Sequence, residues 1–186
     1  MDEGISTLRA HEYFRSVDFD DVNLEARLPL SLVQVGAWPG TIRAVEKAIV
    51  SALGVALPTE PGCSTKKEDI LVMTIAPGTF LIEASESDIV GKLVTFIEPA
   101  LGTVTNLTDA RVALNVAGVR AETVLSRGLA LDFDLGQFPV HRVKQSAIDE
   151  IGVIIRRVAT RRFDLYVYQS LALSLWDWLI DASKYD

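Results

Sequence analysis

The sequence predicts an α+β fold in which two tandem split-βαβ (ferredoxin-like) modules pack together. Two observations carry this prediction. Residues 30–107 show strand and helix patterns in the order β-α-β-β-α-β, and residues 108–186 repeat a similar order. With 49% hydrophobic residues in a chain of 186, there is enough apolar material for one compact unit or for two small modules that share a core.

The first module opens with a strand and a helix. The segment LSLVQVGAW, residues 30–38, alternates and is rich in β-forming residues, and Pro39 with Gly40 ends the strand. Thr41 is the predicted N-cap of a helix that ends at Gly54. The apolar stripe of this helix recurs at spacings of three and four, and comprises Ile42, Val45, Ile49, Ala52 and Leu53.

A hairpin, a second helix and a strand complete the first module. After a turn-rich loop at 58–68, strands at 70–75 and 80–84 flank APGT, a tight-turn sequence. Ser87 is the predicted cap of a helix that ends before Pro99. The closing strand is predicted at 103–107.

The second module repeats this logic. VALNVAG alternates from Val112, and RAETVLSRG is a short helix closed by Gly128. Three further strands are predicted at 143–148, 153–158 and 163–168.

The last predicted helix has Ser170 as its N-cap. One of its faces carries Leu171, Leu175, Trp178 and Leu179. Trp176 projects from another face, where it is either a surface residue over the sheet or an interface anchor.

The first 27 residues read as an acidic N-terminal arm. They carry −4 of the net charge of −7 and show no sustained apolar period. Such a segment is either a mobile tail or an arm that becomes ordered on a partner, with Tyr13, Phe14, Val17 and Phe19 as anchors. The predicted domains are therefore the arm at 1–27, a first module at 28–107 and a second at 108–186.

Several classes of function find no support in the residues. The two histidines, His11 and His141, form no recognisable triad with a nucleophile, and neither metal-ligand spacings nor a phosphate-binding glycine loop occur. Cys63 is a single loop thiol. The acidic charge argues against nucleic acid, no apolar run reaches the ~18 residues of a membrane helix, and the N-terminus lacks secretory-signal features. We therefore expect a cytoplasmic protein with no catalytic, cofactor-binding or metal-binding residues of its own.

Four segments together resemble the gamma subunit of heterotetrameric sarcosine oxidase. They are QVGAWPGT from residue 34, the hairpin around APGTFLI, VTNLTDARVALNVAGVRAETVLSRGLALDF from residue 104, and RRFDLYVYQSLALSLWDWLIDA from residue 161. The resemblance runs from about residue 28 to residue 182. Its most specific pieces are WPG, the VTxLTxAR stretch, and FDLYV followed by SLWDWL.

The resemblance implies a fold like that of the folate-binding domains of the glycine cleavage aminomethyltransferase. It also implies a non-catalytic structural subunit whose partners are the alpha, beta and delta subunits. That complex oxidatively demethylates sarcosine to glycine, forms hydrogen peroxide, and passes the one-carbon unit to tetrahydrofolate or releases it as formaldehyde. FAD, FMN, NAD, zinc and tetrahydrofolate belong to the other subunits, so no cofactor is expected on this chain.

The chain departs from the family pattern at two places. Asn106 stands where these proteins often carry an acid, and residues 159–163 replace a Gly-Glu-containing turn with ATRRF. The carboxylate that would bind a pterin there is missing, although Asp164 lies close in sequence.

Three hypotheses follow. The first is a partner-dependent subunit, for which the candidate contacts are Tyr13, Phe14, Phe19 and Trp176. The second is an independent folate-binding, aminomethyltransferase-like protein of one-carbon metabolism, which rests on the shared fold alone. The third is a homo-oligomeric scaffold that uses the same apolar surface.

Overall fold

A computed structural model describes residues 14–27, 31–85 and 88–185. It confirms the α+β class, with two antiparallel sheets and few helices. The chain divides into two compact units. The terminal unit contains described residues 14–27, 109–140 and 144–185, and the middle unit contains those at 31–108 together with 141–143.

The described elements follow one another as β1 (Val17–Phe19), β2 (Val22–Arg27), β3 (Ser31–Ala37), α1 (Ile42–Leu53), β4 (Cys63–Lys67), β5 (Ile70–Ala76), β6 (Thr79–Ala84), α2 (Ile89–Phe96), β7 (Gly102–Asn106), β8 (Arg111–Ala117), α3 (Ala121–Ser126), β9 (Val143–Ile148), β10 (Ile151–Ala159), β11 (Arg162–Tyr168) and α4 (Gln169–Ser183).

The middle unit is a split-βαβ module with one added strand. Its sheet has the order β4-β5-β6-β3-β7, in which β3 lies between β6 and β7 and pairs antiparallel with both. Alternate residues of β3, Val33 and Val35, are buried in one core with Val45 and Ile49 of α1. The residues of the alternating strand pattern and those of the helical pattern therefore pack against each other in this core.

The terminal unit has the same strand arrangement, but its strands β1 and β2 come from the N-terminal segment and not from the segment that supplies the others. Its sheet has the order β1-β2-β8-β11-β10-β9. Strand β2 pairs antiparallel with β8, in the position that β7 occupies beside β3 in the middle unit. The core lies between this sheet and the helices α3 and α4.

The N-terminal segment needs a correction, because its described part is two strands of a sheet and not an arm. Val22, Leu24 and Ala26 are buried, while Asn23 and Glu25 between them face away from the core. This is the alternation of a half-buried strand, which the acidic charge of the whole segment obscured.

Other boundaries differ by small amounts. Strand β4 lies in the predicted loop at 58–68, and α4 begins at Gln169, so Tyr168 takes the N-cap position in place of Ser170. Helix α1 has Thr41 at its N-cap position and Gly54 at its C-cap, as predicted, but the Thr41 hydroxyl lies 2.8 Å from the carbonyl of Trp38 and 2.6 Å from that of Leu101 and makes no capping hydrogen bond. The predicted cap Ser87 lies outside the described residues.

Candidate functional site

Two of the predicted partner contacts are buried inside the terminal unit. The rings of Phe14 and Trp176 meet edge to face with centroids 5.4 Å apart, and they are 7% and 3% exposed. Phe19 is half-buried against the same core, and Tyr13 lies outside the described residues. Trp176 is therefore a core residue and not a surface anchor, because α4 buries a broader face than its predicted stripe.

An ionic cluster occupies the second face of the terminal sheet, the face turned away from the helices. Asp164, in the middle of β11, is 3% exposed. Its Oδ2 lies 3.0 Å from Arg27 Nη2 and 3.5 Å from Arg156 Nη1, and its Oδ1 accepts a 2.7 Å hydrogen bond from Asn115 Nδ2. Both carboxylate oxygens are thus bound by side chains of this chain.

The geometry of this cluster follows from strand register. Asp164 pairs with Asn115 on β8 and with Arg156 on β10, so three neighbouring strands present these groups side by side. Arg27 comes from the end of β2, 137 residues away in sequence, and its Nη2 also lies 3.4 Å from the Tyr166 hydroxyl. A polar residue within each of three otherwise apolar strands was the signal in the sequence.

A second buried cation lies on the helix side of the same sheet. Arg157 is fully buried, and its Nη2 donates to Glu122 of α3 and, at 2.7 Å, to the carbonyl of Phe133. The guanidinium carbon also lies 4.8 Å from the ring centroid of Phe163. Glu122 is 38% exposed, so this ion pair reaches from the core to the surface.

The family motifs of the middle unit hold backbone in place. In the WPG turn, Trp38 Nε1 donates to the carbonyl of Pro99 at 2.8 Å, which fixes the turn against the segment after α2. At the end of β7, the backbone N–H of Thr108 donates to Asn106 Oδ1 at 3.0 Å, and the Thr108 hydroxyl accepts from the N–H of Leu32. Asn106 therefore has a turn-forming contact that an aspartate could also make.

Cys63 and His141 belong to the middle unit and form no nucleophile–base pair. The carbonyl of His141 accepts from the N–H and hydroxyl of Ser64, whereas Cys63 Sγ accepts from Arg142 Nη1 at 2.9 Å. Hydrogen bonds to Cys63 and then to Glu60 raise the pKa of Arg142.

The described part of the chain contains no group of three or more His, Cys, Asp or Glu side chains placed to hold a metal ion. None of its helices is long and apolar enough to span a membrane. One open depression of about 640 Å³ lies along the outer face of α1, where Arg43, Glu46 and Lys47 line it.

Comparison with known proteins bears on the family and the fold. Residues 57–186 match the family model described as the GCVT N-terminal domain. No curated protein matches the chain.

Among solved structures, the chain is similar to heterotetrameric sarcosine oxidase from Corynebacterium sp. U-96, solved in complex with pyrrole 2-carboxylate. The TM-score is 0.82 at 24% identity, and the match covers 91% of this chain and 87% of that chain.

It is also similar to glycine cleavage system aminomethyltransferase T from Bartonella henselae, with a TM-score of 0.66 at 16% identity over 93% of this chain. The match covers 55% of the aminomethyltransferase, so the chain spans about half of that protein's length. The predicted resemblance to sarcosine oxidase and to the aminomethyltransferase is thereby confirmed at the level of the fold.

Proposed function

Because this chain belongs to the GCVT N-terminal domain family, we propose that it is a non-catalytic, gamma-type subunit of a heterotetrameric sarcosine oxidase. One observation carries the proposal: the similarity to the Corynebacterium oxidase extends over nearly all of both chains, with a TM-score of 0.82. The complex would act in the cytoplasm and convert sarcosine to glycine by oxidative demethylation.

The side chains around Asp164 in the terminal unit suit a structural role better than a ligand-binding one. The family resemblance implies that a pterin would be bound by a free carboxylate, yet both oxygens of Asp164 are taken by Arg27, Arg156 and Asn115. The residues present therefore do not fit a tetrahydrofolate site at this strand. We place FAD, FMN, NAD, zinc and tetrahydrofolate in the alpha, beta and delta subunits.

The contribution of this subunit would be to orient and cover its partners. A stable contact of this kind buries more than roughly 1,000 Å² in total. Phe14 and Trp176 are excluded as anchors because their rings pack against each other within the apolar core of the terminal unit. Phe19 and Tyr13 stay as candidate contacts.

A folate-binding, aminomethyltransferase-like protein is the second candidate, and the family match favours it. It predicts that the purified chain binds tetrahydrofolate by itself. Isothermal titration of the chain with tetrahydrofolate, alongside an Asp164→Asn variant, tests this. Binding by the wild type that is lost in the variant would replace the subunit proposal.

The decisive experiment is affinity purification of the tagged chain from its native host, followed by native mass spectrometry and a sarcosine-dependent peroxide assay. We expect larger, flavin-bearing chains to co-purify in fixed stoichiometry together with activity. The isolated chain should be inactive. A chain that elutes alone at all concentrations, or as a homo-oligomer without flavin, would contradict the proposal.

A further inference from the structure

Arg111 is a buried cation that lies against an aromatic ring of the same unit. It begins β8, is 8% exposed, and stands opposite Tyr168 at the end of β11. Its guanidinium carbon lies 4.0 Å from the centroid of the Tyr168 ring. Its Nε is buried without a hydrogen-bond partner, as are the Nε atoms of Arg27 and Arg157, so it is the missing ion pair described next that distinguishes Arg111.

The other buried arginines of the terminal unit differ from Arg111. Arg156 lies 3.5 Å from Asp164, and Arg157 is paired with Glu122. Arg111 has no carboxylate within ion-pair distance anywhere in the part of the chain that the structure describes. Burial lowers the pKa of Arg111, and the neighbouring Tyr168 offsets this only in part.

A guanidinium that is partly desolvated, with no described carboxylate within ion-pair distance, is unfavourable, because a cation–π contact replaces only part of its hydration. The ring that lies over it is itself half-exposed, since 49% of Tyr168 remains accessible. An arginine and a tyrosine placed in this way are the residue types that dominate the energetics of protein interfaces.

We propose that Arg111 and Tyr168 form the anchor for an aspartate or glutamate side chain of a partner subunit. This inference rests on the proposed function and names the chemistry of one contact within it. The carboxylate would accept from the Arg111 guanidinium, which no carboxylate among the described residues pairs with, and the partner's surface would cover the exposed ring of Tyr168. Water would be excluded from the pair, which strengthens a charge-assisted hydrogen bond.

A variant at Arg111 should change assembly with the partner without lowering the stability of the isolated chain. An Arg111→Met variant keeps the length of the side chain and removes the unpaired charge. We therefore expect the Tm of the isolated chain to stay the same or rise, while the affinity for the partner falls by a factor of about 10 to 100. A merely structural role predicts instead that Tm and assembly fall together.

Arg162→Met is the matched control, because Arg162 lies at the other end of β11 and is exposed. Both variants would be reconstituted with the purified partner chains and the dissociation constant measured by titration at two salt concentrations. We expect wild-type affinity for Arg162→Met, and a weaker salt dependence for Arg111→Met.

The occupant is identified by replacing Tyr168 with p-benzoylphenylalanine in the assembled complex and sequencing the photo-crosslinked peptide. The expected adduct lies in one flavin-bearing chain, next to an Asp or Glu whose change to Asn or Gln weakens assembly as Arg111→Met does. Unchanged assembly in Arg111→Met overturns the inference and leaves the proposed function standing.

Two further outcomes overturn it in other ways. Acetate could shift the Arg111 side-chain NMR signal of the isolated chain without inhibiting assembly with the partner chains. The site would then bind a small carboxylate and not a partner side chain. If the wild-type chain forms no complex with flavin-bearing chains, both the inference and the proposed function fail.

Discussion

The two sheets of this protein share one strand order but differ in the chemistry of their second faces. In the middle unit, the face turned away from its helix-packed core buries mainly apolar side chains, among them Leu32, Leu71, Met73 and Leu81. In the terminal unit, the corresponding face carries buried polar and charged groups, namely Asn115, Arg156, Asp164 and Tyr166. Two sheets with the same strand order can therefore bury either apolar or charged side chains on the corresponding face.

The difference has consequences for stability. An apolar face contributes roughly 25 cal/mol for each Å² removed from water and tolerates exchange among residues of similar volume. A buried ionic cluster recovers the cost of desolvation only while every partner is present. The terminal unit should therefore be the less tolerant of the two.

The largest effect is expected from Leu24→Asp, which tests whether the N-terminal segment supplies strand β2, the neighbour of β8 in the terminal sheet. Leu24 is fully buried on β2, so an aspartate there would be an unpaired buried charge. We expect a loss of about 4–5 kcal/mol or more in the free energy of unfolding, measured by urea denaturation. Glu25→Gln, on the exposed side of the same strand, should change it little. Equal behaviour of both variants would restore the interpretation of a loose arm.

Asp164→Leu tests the charged face and should cost about 3–5 kcal/mol, because it leaves two arginines next to an apolar side chain. Met73→Leu makes a volume-conserving change on the apolar face of the middle unit and should cost less than about 1.5 kcal/mol. Denaturant unfolding of the two variants gives the comparison directly. If Met73→Leu were the more damaging, the contrast between the faces would be wrong.

Gly118→Ala tests the close approach of the segment before β2 to the end of β8. Gly118 has φ of 127°, and a Cβ there would lie 2.1 Å from the carbonyl oxygen of Asp21. Strain and this collision should together destabilise the chain by about 2–3 kcal/mol, seen as a lower denaturation midpoint. Gly152→Ala, where the added Cβ meets nothing within 4 Å, should be nearly neutral. A neutral Gly118→Ala would show that the strand can shift away.

Among the disruptive changes to the terminal unit, Glu122→Gln should have the smallest effect, about 1–2 kcal/mol in chemical denaturation. It removes the charge that faces Arg157 but retains a hydrogen-bond acceptor, and Glu122 is already partly solvated. Glu98→Gln, an exposed change in the middle unit, is the control. A loss as large as that of Asp164→Leu would mean that the helix-side ion pair matters as much as the cluster on the other face.

Much of the fold could be predicted from local patterns. The helix at 42–53 and the hairpin of β5 and β6 lie where periodicity and turn residues placed them. Strand β4 was missed because CSTKK is polar and lies at a sheet edge, where packing imposes no alternation.

The burial of the candidate partner contacts could not be predicted from local patterns. Trp176 was assigned to an open face of its helix because its own sequence neighbours carry no information about Phe14, which covers it from more than 160 positions away. That no carboxylate of the described residues pairs with Arg111 is equally invisible in the sequence, where Asp109 stands only two residues before it.

The sequence by itself determined the order of most strands and helices, the α+β class and the resemblance to its family, because these depend on spacings of a few residues. Tertiary structure alone decided that β2 is the strand that pairs with β8, and that Asp164 meets Arg27 across 137 residues. The physical reason is that burial and charge pairing depend on distances in space, which strand register sets between segments far apart in the chain.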